Sequence, residues 1–336
     1  MIPPEPLQEL SQWWLRFMER QAVESVWVFL LVGCIWYLWR RRISVQLSYF
    51  LFLLVLINLI FPDYVSLYGL LDRGLAGLGA PLAMSEAGWG SWLPSLAAPR
   101  PGEEAGTAMD SATPSASLFP PATVLMMIWS LIVLMLFLRF LRYQWIIRKI
   151  LKHIEYFDPA TAPLDLALLQ KQAGIKRLVR WAFYAEAASP FVWGIVHPVV
   201  IIPPRFFENQ FSAAQAQWIL LHELAHIRRW DNLVHYFQGV MQILYFFNPT
   251  VWITNFLMDQ FREWSCDDIA LKGSAISRKE CGEGLLRVIL QNCQNNQAIP
   301  ESLFLLNNQS FIRRRLARIM DEKRKFYGYL TLGELT

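Results

Sequence analysis

Three apolar stretches constrain this chain more than any other feature in it. They are "VESVWVFLLVGCIWYLW" within about 22–39, "ISVQLSYFLFLLVLINLIF" at 43–61 and "ATVLMMIWSLIVLMLFL" at 122–138. Each approaches the roughly 20 mostly apolar residues needed to cross a bilayer. The whole chain agrees: 54% of its 336 residues are hydrophobic and 17% are charged, too apolar for an ordinary soluble domain of this length. The first stretch is not a signal peptide, because it lacks a basic leader and a small-residue cleavage site before the next stretch.

Lysine and arginine near the ends of such stretches set their orientation, since these cations stay on the cytoplasmic side. Arg40, Arg41 and Arg42 fill the first turn, and Arg139, Arg142, Arg148, Lys149 and Lys152 follow the third stretch. Both flanks therefore read as inside. The intervening segment 62–121 is rich in Gly, Pro, Ala and Ser, and its acids Asp63, Asp72, Glu86, Glu103, Glu104 and Asp110 outnumber its two arginines. It reads as a flexible outer loop of linker composition. These assignments predict a multi-pass protein with its N-terminus outside, a membrane region over 1–139, a cytoplasmic domain over 140–325 and a tail over 326–336.

Beyond the third stretch, "FLRYQWIIRKILKHIEYF" keeps helical periodicity, and "LDLALLQKQAGI" is a second helix ended by Gly174. The segment from Arg177 to Phe206 is β-branched, aromatic and punctuated by Pro and Gly, which predicts two or three short strands. Helix returns with "SAAQAQWILLHELAHIRR", opened by Ser212 with Gln215 three residues later, a capping-box pattern.

That helix carries chemistry. Residues four apart share a helix face, so His222 and His226 aim their imidazoles at one point, as a zinc ion requires. Glu223 lies beside that point and is placed to take a proton from water rather than to ligate. A catalytic zinc needs a third protein ligand and one open position. "MDQFREWSCDDIAL" offers Glu263 and, four residues on, Asp267: one completes a His/His/Glu set while the other accepts a hydrogen bond from a ligating imidazole. The apolar "LVHYFQGVMQILYFF", 233–247, cannot be a full span, because its ends would then lie about 30 Å apart and no single ion could join them. The break at "NPT" instead predicts a helical hairpin over 233–258 that returns Glu263 to the histidines.

Taken together, "HELAHIRRWDN", "FNPTVW", "REWSCDDIAL" and the upstream "SPFVWGIVHPVVIIPP" resemble the BlaR/MecR-type integral-membrane metallopeptidases, the antirepressor proteases, over residues of about 123–320. The resemblance implies a mainly α membrane protein, with transmembrane helices and a gluzincin-like α+β zinc-protease domain that has a small sheet and an HExxH helix. It makes His222, His226 and Glu263 the ligands of one zinc per chain, Glu223 the catalytic base and Asp267 a supporting residue beside the ligands. Asp231 and Asn232 match the family's "DN", read here as a structural cap, and "PVVIIPP" reads as an edge strand able to pair with an extended substrate. Sensor members carry an extracellular penicillin-binding domain with SxxK and KTG motifs after a further span. This sequence shows neither motif and ends in "FYGYLTLGELT", too short to span, which fits a chain without the sensor or a truncated one.

The implied function is signal-dependent cleavage of a cytoplasmic protein, such as a transcriptional repressor, or of the chain itself, at a bacterial inner membrane. The implied partners are that substrate and the lipid bilayer, with a homodimer compatible and no direct nucleic acid. Two alternatives stay open: a quality-control or prenyl-processing membrane zinc protease, and a non-catalytic signalling or scaffold protein with a structural zinc, for which His235 is the extra ligand candidate. The net charge of +4 names no nucleic-acid partner. The basic run Arg313, Arg314, Arg315, Arg318, Lys323, Arg324 and Lys325 reads as an inner-surface lipid contact. Four cysteines with no CxxC pair read as free thiols in a reducing compartment.

Overall fold

The computed structural model describes residues 5–60, 120–208, 211–274, 276–294 and 309–322. The expected outer loop, apart from its last two residues, the basic residues from Lys323 on and the C-terminal tail lie outside them. In chain order the helices are α1 (Glu5–Trp39), α2 (Val45–Asn58), α3 (Pro121–Ile150), α4 (Leu166–Gln172), α5 (Ala213–Arg229), α6 (Asp231–Leu244), α7 (Pro249–Gly273), α8 (Arg278–Gln294) and α9 (Gln309–Met320). The strands are β1 (Glu155–Tyr156), β2 (Arg180–Phe183), β3 (Phe191–Trp193) and β4 (Val199–Ile202). The chain divides into two compact units, residues 1–28 with 58–132 and residues 29–57 with 133–336.

In the first unit, the start of α1 meets the start of α3. The Ser11 and Thr123 hydroxyls are 3.0 Å apart, and Trp14 packs on Trp129 at 5.4 Å between ring centroids. Helix α1 begins well before the expected 22–39 stretch, because "LQELSQWWLRFMERQ" contains no breaker to stop it. Buried Glu24 therefore falls mid-helix, where it accepts from Arg20 Nε at 2.8 Å one turn away. By length and apolarity α1 and the α3 helix, continued to His153, are candidate spans, whereas α2 is a shorter apolar helix. Fourteen residues rise about 21 Å, less than the roughly 30 Å of hydrocarbon.

The second unit holds the later parts of α1 and α3, nearly all of α2, the sheet and the remaining helices. The helical reading through "KHIEYF" stops early. A 3-10 turn at Leu151–His153 ends the helix, and Glu155 and Tyr156 form β1, antiparallel to β2. The order is β1-β2-β4-β3, with β2 and β4 parallel and β3 antiparallel to β4. This corrects the expectation for "PVVIIPP": β4 has neighbours on both sides and all four of its residues are buried. Its unbroken apolar run is what a strand covered on both faces requires, and β3 takes the edge. Between them Gly194 has φ +96°, and a Cβ there would lie 2.7 Å from the His197 carbonyl, so the turn needs glycine.

Helix α5 begins as its sequence predicts. Ser212 Oγ accepts from Gln215 N and the Gln215 side chain accepts from Ser212 N. Trp218, Leu221 and Leu224 bury one face of α5 in a core shared with Trp181, Val200, Ile202 and Leu285. The helix ends at Trp230, whose φ of 60° is left-handed, so α6 starts at the next residue on a new axis. Such a conformation costs a bulky residue about 1–2 kcal/mol, and Arg177 offsets it. The Arg177 guanidinium stacks 3.9 Å from the Trp230 ring and donates to the Ile195 and Ile227 carbonyls. The chain then reverses between α6 and α7: Pro249 opens the return helix at its first turn, where no N–H is needed, and Asn248 Oδ1 accepts from Thr250 N at 2.9 Å. Cys34, Cys266 and Cys281 are free thiols, as expected.

Leu224 sits in the core directly behind the histidine pair and is wholly buried. Leu224→Ala is expected to destabilise the solubilised protein by about 2–5 kcal/mol. Leu178→Ala, at a side chain that is 78% exposed, is expected to stay within about 0.5 kcal/mol. Thermal unfolding of the two variants side by side checks the contrast.

Candidate metal centre

The principal packing between helices in the second unit is that of α5 against α7, and the candidate residues lie at its centre. His222 and His226 project one turn apart from α5, their rings 5.0 Å between centroids and nearly perpendicular. Glu263 faces them from α7. Its Oε2 is 3.6 Å from His222 Nε2 and its Oε1 is 3.8 Å from His226 Nε2. One donor atom from each of the three lies within 4.8 Å of the others. Two imidazole nitrogens and a carboxylate oxygen form a donor set that suits zinc and leaves room for a fourth ligand.

The far sides of both imidazoles are held. His226 Nδ1 donates to Asp231 Oδ2 at 2.9 Å, which leaves the Nε2 lone pair free on the side where Glu263 lies. His222 Nδ1 lies 3.0 Å from Asp267 Oδ1, the pairing expected from the Glu263/Asp267 spacing. A carboxylate behind each ring is the arrangement by which metal-binding histidines are oriented. Asp231 was expected to be a helix-terminal cap and is not one. The left-handed turn at Trp230 folds the start of α6 back beside α5, so the buried Asp231 reaches His226 and accepts from Arg229 Nε at 3.2 Å. Asn232 ties this corner to the sheet through Nδ2, which donates to the Gly194 carbonyl at 3.0 Å.

Arg315 was also misplaced by the sequence reading. Instead of facing lipid, it is buried. Its Nε and Nη2 donate to the two Asp267 oxygens at 2.8 and 2.9 Å, and its Nη1 lies 2.8 Å from Glu263 Oε2. Arg318 pairs with Asp268 at 2.9 Å and lies over Trp264. Arg313 and Arg314 are exposed. No local signal distinguishes Arg315 from its neighbours except the periodicity of the apolar face of α9, which places it with Phe311 and Ile319.

The charges divide cleanly. Burial pushes the Glu223 carboxyl up from its ordinary range, opposed by His226 and His222. Burial would raise Glu263 too, but Arg315 and the histidines outweigh it and hold that carboxylate well below the usual range. Asp267 is lowered against its burial by Arg315 and His222, and Asp231 by Arg229 and His226. Burial opposes charge on His222, yet Asp267 and Glu263 lift it to about 9. One carboxyl is thus poised to exchange a proton, while three stay ionised around the imidazoles and favour positive charge between them.

A second cluster, His226, Asp231 and Cys266, also has close donor atoms, with Cys266 Sγ 3.4 Å from His226 Nδ1. It uses the nitrogen already given to Asp231, and burial, followed by Asp231, pushes the Cys266 thiol far above its ordinary value. A neutral thiol is a poor metal ligand. Among the described residues, neither group includes His153, His197 or His235.

The profile of the family described as BlaR1 peptidase M56 matches residues 16–319. The regulatory protein BlaR1 of Bacillus licheniformis is 31% identical over 136 residues, 40% of this chain and 22% of that protein. The methicillin resistance mecR1 proteins of Staphylococcus aureus and Staphylococcus epidermidis are each 26% identical over 147 residues, 43% of this chain and 24% of theirs. Each match spans under a quarter of the relative's length.

Asp231→Asn keeps the shape of this corner but removes the charge that orients His226. It is expected to weaken zinc binding by roughly 10–100-fold, measured by competition with a chelator. Unchanged affinity would assign Asp231 to the fold alone.

Proposed function

The chain belongs to the BlaR1 peptidase M56 family, which together with its relatives supports a membrane-associated regulatory metallopeptidase; from that premise we propose a membrane-anchored zinc endopeptidase that cleaves a cytoplasmic protein or itself. The observation that carries this reading is Glu263 facing the Nε2 atoms of both histidines, with Glu223 on the same helix as those histidines. His222, His226 and Glu263 are the ligands in this reading, and a three-residue set favours catalysis over a closed structural site. Zinc, when bound, supplies Lewis acidity toward a peptide carbonyl and makes water more acidic.

The remaining steps belong to the chain's own residues. Glu223 is the base: it takes the proton of the attacking water and returns it to the departing amine, and its raised pKa eases that return. Asp267 and Asp231 hold the two imidazoles in register. The substrate lies along β3, which among the described strands pairs only with β4. A small cleft beside His226 is lined by Gly194 and Ile195, which follow that strand directly, and by Trp230 and Leu233. An extended peptide added to the β3 edge is thereby held by main-chain pairing with one of its bonds near His226.

A cytoplasmic side for this chemistry is supported by the basic residues that flank the apolar helices. Arg40, Arg41 and Arg42 follow α1 directly, and Arg139, Arg142, Arg148 and Lys149 occupy the last turns of α3. The substrate class in this reading is supported by the relatives, a regulatory protein and methicillin resistance proteins. A cytoplasmic repressor, or a segment of this chain, is the substrate that links such names to proteolysis.

Glu223→Gln is expected to keep zinc and to lose cleavage by about 10²–10⁴-fold. The proteomes of cells expressing wild type and the variant are compared for a cytoplasmic protein cut only by the former, with metal content measured on the purified proteins. Cleavage that survives in the metal-loaded variant contradicts the assignment.

A further inference from the structure

We propose that Arg315 is a positioning residue for the metal centre, a guanidinium carried in from α9 that fixes Glu263 and Asp267 in the arrangement presented to the two imidazoles. The inference rests on the reading that His222, His226 and Glu263 hold zinc. It begins from the run "RRRLARIM", whose arginines cannot share a face, because successive helical residues are turned about 100° apart. Arg313 and Arg314 are exposed, while Arg315 is 7% exposed and lies on the face that buries Phe311 and Ile319. Arg318, one turn on, pairs with Asp268, so two arginines three residues apart meet the adjacent acids Asp267 and Asp268 of α7. The end of α9 is fixed as well: Arg278 Nη1 donates to the Ile319 and Asp321 carbonyls at 3.1 and 2.8 Å.

Glu263 and Asp267 stand one turn apart on α7, where like charges repel, and Asp267 is almost fully buried. The guanidinium answers both. Its fork holds Asp267 through Nε and Nη2, and Nη1 remains for Glu263. A planar fork matches a carboxylate in two places at once, which the compact ammonium of lysine cannot do while also reaching a second acid. Through Asp267 the arginine also acts on His222 Nδ1, 3.0 Å beyond. Arg315 Nη2 is itself 3.3 Å from His222 Nε2. One side chain thus sets two of the three ligands, His222 and Glu263.

Positioning and plain charge predict opposite signs. A cation beside a bound dication repels it, so if charge were the whole effect, removing Arg315 would tighten zinc binding. If the fork aligns the ligands, Arg315→Met and Arg315→Lys both weaken it, by roughly 10–100-fold, the range for residues that orient metal ligands.

The experiment uses the full chain in detergent. Zinc affinity is measured by chelator competition for wild type, Arg315→Lys, Arg315→Met, the exposed control Arg314→Met and His222→Ala, with thermal unfolding of the metal-free proteins. Visible spectra of the cobalt-loaded forms report ligand geometry. Expected are at least tenfold weaker zinc binding and a changed cobalt spectrum in Arg315→Lys at an unfolding midpoint near that of wild type, with Arg314→Met like wild type. If Arg315→Met fails to fold, Arg315→Lys carries the test. Zinc binding by the folded Arg315 variants that equals or exceeds wild type overturns the inference while leaving the ligand assignment intact. Wild type that binds no zinc, or binds it as well as His222→Ala does, overturns both.

Discussion

Two carboxylates on one helix, facing two imidazoles on another, are the interaction around which the rest of the described structure is arranged. Glu263 and Asp267 sit largely out of water, where an unpaired charge is costly. They are stable there only because His222, His226 and Arg315 surround them. The α5 and α7 helices must therefore pack tightly, and neither half is a site without the other. Their close approach is visible at Gly273, where a Cβ would lie 3.3 Å from Leu221.

The apolar hairpin has to serve that contact. Between His226 and Glu263 the chain leaves α5 through a left-handed residue, runs out along α6, turns at Asn248 and Pro249, and comes back along α7. Polar side chains line the inner seam of the hairpin: Asn255 donates to Gln242, and Arg262 bonds both Asp259 and Gln238. An otherwise apolar pair of helices thus keeps one register. Helix α2 and the end of α1 grip the same region. Phe52 and Trp36 pack on Phe261, two residues before Glu263, and Tyr49 lies under Arg229, the residue that holds Asp231.

What the sequence revealed and what it hid follow from the range of the forces involved. The HExxH helix, its Ser212 cap and the Glu263/Asp267 face were legible because each depends on residues within one or two turns. The need for a return at "NPT" was legible because helix rise turns a residue count into a distance. Asp231 was misread because its role depends on the left-handed backbone of Trp230, which a tryptophan does not announce. Arg315 was misread because its partners lie about 50 residues away. The short β1 pairing and the interior place of β4 were hidden for the same reason: strand neighbours are chosen by tertiary packing. Of the expected spans, α1 proved longer at its start and α2 shorter than its apolar run, since hydropathy marks where a helix can be buried rather than where it begins and ends.

The central claim is that Nε2 of His222, Nε2 of His226 and a Glu263 oxygen form an open zinc site. Zinc K-edge X-ray absorption on the solubilised, metal-loaded protein tests it most directly. The account predicts two imidazoles and only oxygen otherwise, one carboxylate and one exchangeable water, with no sulfur. A zinc–sulfur distance near 2.3 Å, which would bring in Cys266, or a closed shell of four protein ligands would contradict it.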